Sequence, residues 1–163
     1  MPKQFWTFLG IGVAIVGVAI ALVLWTNKGS HLELDGKILK VRTLSLEPQA
    51  TILVIDFRVT NPANYPYMIK DAVVRMDTAD GKTVQADTIS RDDTDRLFQY
   101  YKILGPKYNQ TLIQRDQIPA HHTEDRTLAV RILASSADVD KRKALHLTLD
   151  EVDGAVSEIA EQR

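Results

Sequence analysis

A chain of 163 residues, 25% charged and 45% hydrophobic, is long enough for one ordinary domain plus an appendage, and a domain of about 130 residues buries a core without staples. The absence of cysteine excludes a disulfide framework, a thiolate nucleophile and lipoprotein-type modification, and leaves the redox compartment open. Lys3 and Lys28 are the only charged side chains before Glu33, so the remainder carries 18 basic and 21 acidic residues, net −3, with no basic patch of the kind nucleic-acid binding needs.

Phe5 to Trp25 is a run of 21 residues without a charge, in which Thr7 is the only polar side chain. As a helix it is about 31 Å long, the thickness of a bilayer's hydrocarbon core. Trp6 and Trp25 stand near its ends, where amphipathic rings favour the interface. A chain this small cannot surround such a helix with protein, so the expectation is a single transmembrane helix over 5–25, in contact with a lipid bilayer. Ala19-Ile20-Ala21 has the small-x-small form of a cleavage site, but the apolar run continues to Trp25. The segment therefore reads as an uncleaved signal-anchor. The lysine and arginine count on its two sides keeps the following domain cytoplasmic, whereas a short tail followed by one long domain suits export; the expectation is a periplasmic or extracellular domain. Gly10, Ala14, Gly17 and Ala21 repeat on one stripe of the helix, where small side chains permit close approach of a second helix and hence a homo-oligomer. The expected layout is a tail over 1–4, the span over 5–25, a linker over 26–31, a β-sandwich domain over 32–160 and a tail over 161–163.

The domain is organised around Ile52–Pro66. Leu53, Ile55, Phe57 and Val59 fall on one face of an extended strand, while the other face, Ile52, Val54, Asp56 and Arg58, starts apolar and ends charged. Asn61-Pro62 stops the strand, because proline lacks a ladder N–H and drives its predecessor out of the helical region. Before it, Leu32–Leu46 reads as a strand with a bend at Asp35-Gly36 and a turn at Glu47-Pro48-Gln49. After it, Met68–Thr78 and Thr83–Ile89 form a hairpin across Asp80-Gly81. Ser90–Tyr101 changes to a short helix, capped by Ser90 with acids in its first turn and apolar Leu97, Phe98 and Tyr101, packed on an edge or end of the sheets. Gly105-Pro106 ends it. A loop with a short extended piece, Thr111–Gln114, leads to strands over Arg126–Leu133 and Leu145–Leu149, joined by a polar connection Ser135–Lys143 containing one helical turn, and Ala155–Ile159 adds a last short piece. This succession, with no long amphipathic helices between strands, predicts a mainly β fold: an antiparallel immunoglobulin- or fibronectin-III-like β-sandwich with one short helix.

No residue is assigned a catalytic, cofactor-binding or metal-binding role. His121-His122 with Glu124 and Asp125 is the one cluster of metal-ligand type, but neighbours on an extended segment point opposite ways, and a polar turn before a strand accounts for them. Asp92, Asp93 and Asp95 lack the glycine and terminal glutamate of a calcium loop and read as helix-capping acids. Asp150–Gly154 reads as a strand end and turn. Asn109-Gln110-Thr111 matches a glycosylation sequon. Tyr65, Tyr67, Phe98, Tyr100, Tyr101 and Tyr108 are core and rim aromatics, of which Tyr67, Tyr100 and Tyr108 are the candidate partner surface.

Val59-Thr60-Asn61-Pro62-Ala63-Asn64-Tyr65-Pro66 resembles the strand-end motif of the late embryogenesis abundant type 2 family, the water-stress and hypersensitive-response domain. In that motif a hydrophobic strand runs into Asn-Pro, followed by an aromatic residue and a proline. Ile118-Pro119-Ala120 before a strand is similar to a later feature of the same family. The resemblance implies a fibronectin-type sandwich, often membrane-anchored, linked to desiccation and other stress, with no catalytic residues and no cofactor. Asn61, Pro62, Asn64, Tyr65 and Pro66 then form a structural motif: proline fixes φ and Asn61 bonds its own backbone. The expected function is non-enzymatic binding or stabilisation of a protein partner at the cell envelope. The alternatives are an accessory subunit docked through the helix stripe and the aromatic rim, and an envelope hydrolase using His121–Asp125.

Overall fold

The computed structural model describes residues 3–26 and 33–161, and within the N-terminal helix the side chains of residues 10–22. Two compact units divide the chain, 1–31 and 32–163. In the first, helix α1 (Lys3–Thr26) is continuous over 24 residues, about 36 Å at 1.5 Å per residue. Its described side chains are all apolar and all exposed, from every direction around the axis. Among the described residues no helix is long and apolar enough to cross a membrane; the expected span 5–25 lies within α1 and extends at both ends past the described side chains, 10–22. The expected linker, 26–31, lies outside the described residues apart from Thr26, which ends the helix, and Met1, Pro2, Gln162 and Arg163 of the expected tails lie outside them too.

The second unit is mainly antiparallel β. Its strands are β1 (Asp35–Glu47), β2 (Ala50–Thr60), β3 (Tyr67–Asp77), β4 (Thr83–Thr88), β5 (Gln110–Thr111), β6 (Gln117–Ile118), β7 (Thr123–Ile132), β8 (Ala144–Glu151) and β9 (Val156–Ala160). Hydrogen bonding follows one path, β1-β2-β7-β4-β3-β8-β9, with β6 on β3 and β5 parallel to β7. The path folds over at β4: Thr83–Ala86 pair with β3, whereas Asp87 and Thr88 pair with β7. Two layers result, β1-β2-β7 and β4-β3-β8-β9, a β-sandwich. At one end the outermost strands meet, where the Leu34 N–H donates to Ser157 Oγ at 2.8 Å.

The core between the layers is built from strand alternation. Leu53, Ile55, Phe57 and Val59 of β2 face Val74 and Met76 of β3 and Leu145, Leu147 and Leu149 of β8, all fully buried in one cluster with Leu128, Val130 and Ile132 of β7. Gly36 does not bend β1. It allows close approach, since a Cβ there would lie 2.4 Å from Ile159 Cδ1. The β1 pairing slips at Leu39 instead, between Ile38 and Lys40, and again between Ser45 and Glu47 beside the turn into β2. The β3–β4 hairpin turns at Asp80-Gly81, with Gly81 at φ 86° and the Thr78 hydroxyl on the Lys82 carbonyl.

The helical insertion is α2 (Arg91–Tyr100) followed by one 3₁₀ turn, Lys102–Leu104. Ser90 caps α2, accepting from the Asp93 N–H at 3.2 Å, with Asp92 and Asp93 in the first turn where the helix dipole favours them. The insertion does not sit on an edge or end of the sheets. It covers the outer face of β1-β2-β7, where Phe98 and Leu104 pack with Leu44, Ile52, Val54 and Ala129 in a second hydrophobic cluster. The apolar start of the outer face of β2 is what it covers. A short helix α3 (Ser136–Asp140), capped by Ser135, joins β7 to β8.

Candidate functional site

The strand-end motif folds into a corner stitched by one side chain. Asn61 is fully buried. Its amide Nδ2 donates to the carbonyls of Tyr65 at 2.8 Å and Ile118 at 2.9 Å, its Oδ1 accepts from the Ala63 N–H at 2.9 Å, and its own N–H donates to His122 O at 2.9 Å. One residue thereby ties the end of β2 to the following turn and to β6. Pro66 and Asn64 are exposed, and Asn64 Oδ1 lies 2.8 Å from His121 Nε2. Burial and the carboxylates of Glu151 and Asp153 push the Tyr65 phenol up.

Beneath the insertion lies a polar nest that periodicity alone does not reveal. The Arg42 guanidinium of β1 pairs with Asp56 of β2 at 2.5 Å, both side chains almost wholly buried. Its NH1 donates to the carbonyls of Leu104 at 2.7 Å and Pro106 at 2.9 Å, and its Cζ stands 4.9 Å from the centre of the Phe98 ring. The Asp56 carboxylate also accepts from the Thr127 hydroxyl at 2.5 Å and the Asn109 amide at 3.5 Å. A buried charge is tolerated only when paired and hydrogen-bonded; here Asp56 is the ion-pair partner, and the backbone carbonyls of Leu104 and Pro106 accept the hydrogen bonds of the guanidinium's other arm. The nest is a clamp. It also draws in the sequon: Asn109 is half-buried on Asp56 and Thr111 is buried. The signal available in the sequence was the lone acid on a strand face that begins apolar, with an arginine on the preceding strand.

The remaining candidates are dispersed. His122 Nδ1 bonds the Ala120 carbonyl, Glu124 pairs with Arg126 at 2.5 Å, and Asp125 makes a two-pronged contact with Arg58 at 2.6 and 2.8 Å. That contact holds the Asp125 carboxyl below its ordinary range and raises Arg58. Asp93 pairs with Arg96 and Asp95 with Lys107. Among the described residues no three histidines or carboxylates gather to hold a metal ion. Tyr67 is corrected as a partner-surface residue. It is 2% exposed, its hydroxyl donates to the Leu149 carbonyl at 2.8 Å, and burial pushes its phenol up. Tyr100 and Tyr108 are strongly exposed. In α1, Gly10 and Gly17 have open space where a Cβ would stand. A cleft of about 480 Å³ opens where β4 leaves β3 for β7, with Ile69, Leu112 and Leu128 as its apolar floor.

The class defined by this arrangement is an antiparallel β-sandwich with a helical insertion clamped onto one outer face. No protein-family model matches the chain, and no curated protein does. Among solved structures it is similar to an uncharacterized β-sandwich protein from Clostridium difficile 630, at 12% identity and a TM-score of 0.41 over 80% of this chain and 86% of that one. It is also similar to the Iho670 flagellar-like filament, at 10% identity and a TM-score of 0.35 over 98% of both chains.

Proposed function

We propose that the protein is a single-pass, membrane-anchored β-sandwich of fibronectin-III-like arrangement that binds or stabilises protein partners at the cell envelope without catalysing a reaction, its domain on the periplasmic or extracellular side. The observation that carries the reading is α1. Apolar side chains exposed all round a helix require a surrounding apolar medium, and a bilayer is that medium for a chain of this size. The strand order supports the finer fold: three strands, β1-β2-β7, face four, β4-β3-β8-β9. The resemblance of Val59–Pro66 to the late embryogenesis abundant type 2 motif adds a role under desiccation or related stress. Among the buried polar groups, Asn61 and the Arg42–Asp56 pair hold backbone segments together, which suits a scaffold. Alkaline carbonate extraction of membranes tests the anchor: the full chain is expected in the pellet and a chain lacking residues 1–28 in the supernatant. Release of the full chain would overturn it. Cross-linking in intact membranes, followed by isolation in mild detergent, then identifies the partner, and a chain recovered only as a free monomer would count against the binding role.

A second reading, an accessory subunit docked through its helix, is favoured by the stripe Gly10, Ala14, Gly17 and Ala21, which falls within an arc of about 60° at 3.6 residues per turn. Gly17→Leu is expected to break such a complex while leaving the protein in the carbonate pellet. An unchanged complex would remove this reading and leave the first intact.

A further inference from the structure

We propose that the cleft between β3 and the end of β4 binds the carboxyl-terminal end of an extended protein segment. The segment's main chain completes an opened rung of the sheet, its last apolar side chain fills the cleft, and its terminal carboxylate meets Arg91. The inference names the kind of partner for the binding role proposed above and rests on that reading. A ladder that stops one rung early carries it. β3 and β4 pair in strict register from Asp77↔Thr83 to Val74↔Ala86, so the next rung of the same phase would join Ala72 to Thr88. Thr88 pairs with Val130 of β7 instead, and the two strands part. The groups left at Ala72 are stoppered by side chains. Its carbonyl accepts from the Thr88 hydroxyl at 3.2 Å, and its N–H donates to the Asp71 carboxylate at 2.9 Å. A donor on the carbonyl and an acceptor on the N–H are what a neighbouring strand supplies. Both stoppers are exposed side chains, so an incoming backbone replaces them while they return to water.

The opening is short. On its other edge β3 pairs with β8 throughout this stretch, and the Ile69 N–H and carbonyl are already bonded to the backbone of Asp116 and Arg115. One rung suits the end of a chain better than a full strand. The cleft's about 480 Å³ lies within the range of about 300–1,000 Å³ typical of ligand sites. Its floor is the core itself, since Ile69, Leu112 and Leu128 belong to the cluster between the layers. Such a floor takes an aliphatic side chain. Asp71 and Arg91 are the charged side chains of the lining. Asp71 is engaged at Ala72, whereas Arg91, the first residue of α2, is exposed and makes no ion pair among the described residues. Its guanidinium fork matches a carboxylate. A small inorganic anion would leave the floor uncovered, and a fatty acid would leave the rung unused. A chain terminus with an aliphatic last residue uses the floor, the rung and the cation together, with main-chain bonds for affinity and the side-chain pocket for specificity.

The test uses synthetic peptides of about six residues, ending in leucine, valine, phenylalanine, aspartate or lysine after mixed serine, threonine and valine. Each is made as the free acid and as the amide, immobilised by its N-terminus and probed with the full chain in mild detergent. Free acids ending in leucine or valine are expected to retain the protein about ten-fold better than their amides, the worth of one charge-assisted contact. They should also retain it better than peptides ending in aspartate or lysine. N-methylation of one peptide bond near the terminus should abolish retention, because it removes the donor to the Ala72 carbonyl. Arg91→Gln should lose the preference for the free acid, and Asp71→Ala, which removes the competitor for the Ala72 N–H, should bind several-fold tighter. Both side chains are exposed, and an unchanged urea midpoint confirms that each variant is folded. Equal retention of acids and amides, or an unaltered preference in Arg91→Gln, would overturn the proposal. Arg91-dependent binding of octanoate, with no peptide retained, would assign the cleft to a fatty acid and refute the peptide. A partner cross-linked in membranes as well to Arg91→Gln as to the parent chain would remove this site and leave the binding role standing; no cross-linked partner and no retained peptide would remove both.

Discussion

Removing one member of the Arg42–Asp56 pair tests whether the clamp, rather than apolar packing alone, holds the insertion on the sheet. Asp56→Ala deletes the acceptor for Arg42 at 2.5 Å and for the Thr127 hydroxyl at 2.5 Å. It leaves the guanidinium buried beneath Phe98 with two carbonyl acceptors. Stranding one charge of a buried pair costs ~3–5 kcal/mol. The two carbonyl bonds that survive place Asp56→Ala at the lower end, ~3 kcal/mol, a large share of the ~5–15 kcal/mol by which a domain is stable. Arg42→Met strands the carboxylate and frees both carbonyls, so ~4 kcal/mol is expected. Arg42→Met with Asp56→Leu removes both charges at similar volume and should cost only ~1–2 kcal/mol, less than either single change. Urea unfolding of the full chain in mild detergent, followed by the β-sheet circular dichroism band, measures all three. Trypsin cleavage after Lys102 and Lys107 reports release of the insertion in Asp56→Ala below the unfolding transition. Single-variant costs that simply add in the double variant, or an Asp56→Ala cost under ~1 kcal/mol, would refute the clamp.

Asn61→Ala strands the Tyr65 and Ile118 carbonyls and the Ala63 N–H and is expected to cost ~2–4 kcal/mol; Asn61→Asp should be no milder, since it keeps the acceptor but loses both donors, and the urea midpoint reads each. Gly36→Ala drives a methyl to 2.4 Å from Ile159 Cδ1 and 3.0 Å from the Arg58 carbonyl, for ~1–3 kcal/mol of overpacking, which Ile159→Val should partly relieve; no relief would place the strain elsewhere. Acid sensitivity follows from exposed carboxylates. The Thr78 hydroxyl and Lys82 pull Asp80 from its ordinary 3.8 down to about 2, the Thr83 hydroxyl and then His146 lower Asp77, and Arg58 lowers Asp125. Carboxyls depressed in the folded state stabilise it above the unfolded value and lose that contribution as pH falls through the folded one. The urea midpoint is therefore expected to decline between about pH 4 and pH 2, less steeply in Asp80→Asn; an identical slope in that variant would rule Asp80 out as a contributor.

Much of the sandwich is legible wherever side chains alternate without interruption. Leu53, Ile55, Phe57 and Val59 mark the core face of β2, and Leu145, Leu147 and Leu149 that of β8, because a period of two is a direct readout of which side of a sheet is dry. Local turn and cap chemistry is equally open to reading: Gly81 takes the positive φ its turn requires, and Ser90 finds the Asp93 N–H three residues on. The placement of the insertion is not local. Ile52 and Val54 show that the outer face of β2 needs a cover, but which segment supplies it depends on where β7 and β1 lie, and that is settled only by the assembled sheet.

Two single-residue slips explain the side chains that periodicity misplaces. In β1, Ile38 pairs with Phe57 and Lys40 with Asp56, so Leu39 is an extra residue, 43% exposed. Without it Arg42 would lie opposite Leu53, on the core face. With it, Arg42 lies opposite Val54 on the outer face, diagonal to Asp56, and the clamp becomes possible. In β3, Ile69 pairs with Glu151 and Asp71 with Asp150, leaving Lys70 as the extra residue. Counting back by twos from the buried Val74 and Met76 puts Tyr67 on the outside; the slip at Lys70 returns it to the core, where its hydroxyl meets the Leu149 carbonyl. No such slip turns Tyr100 or Tyr108 inward, since neither belongs to a strand. Aromatic type is the same in all three; Tyr67 is buried by its register in β3, whereas Tyr100 ends a helix and Tyr108 lies in a loop, both exposed. A bulge is an inserted residue with no compositional mark of its own, so a partner surface chosen by residue type is corrected only once strand pairing is known.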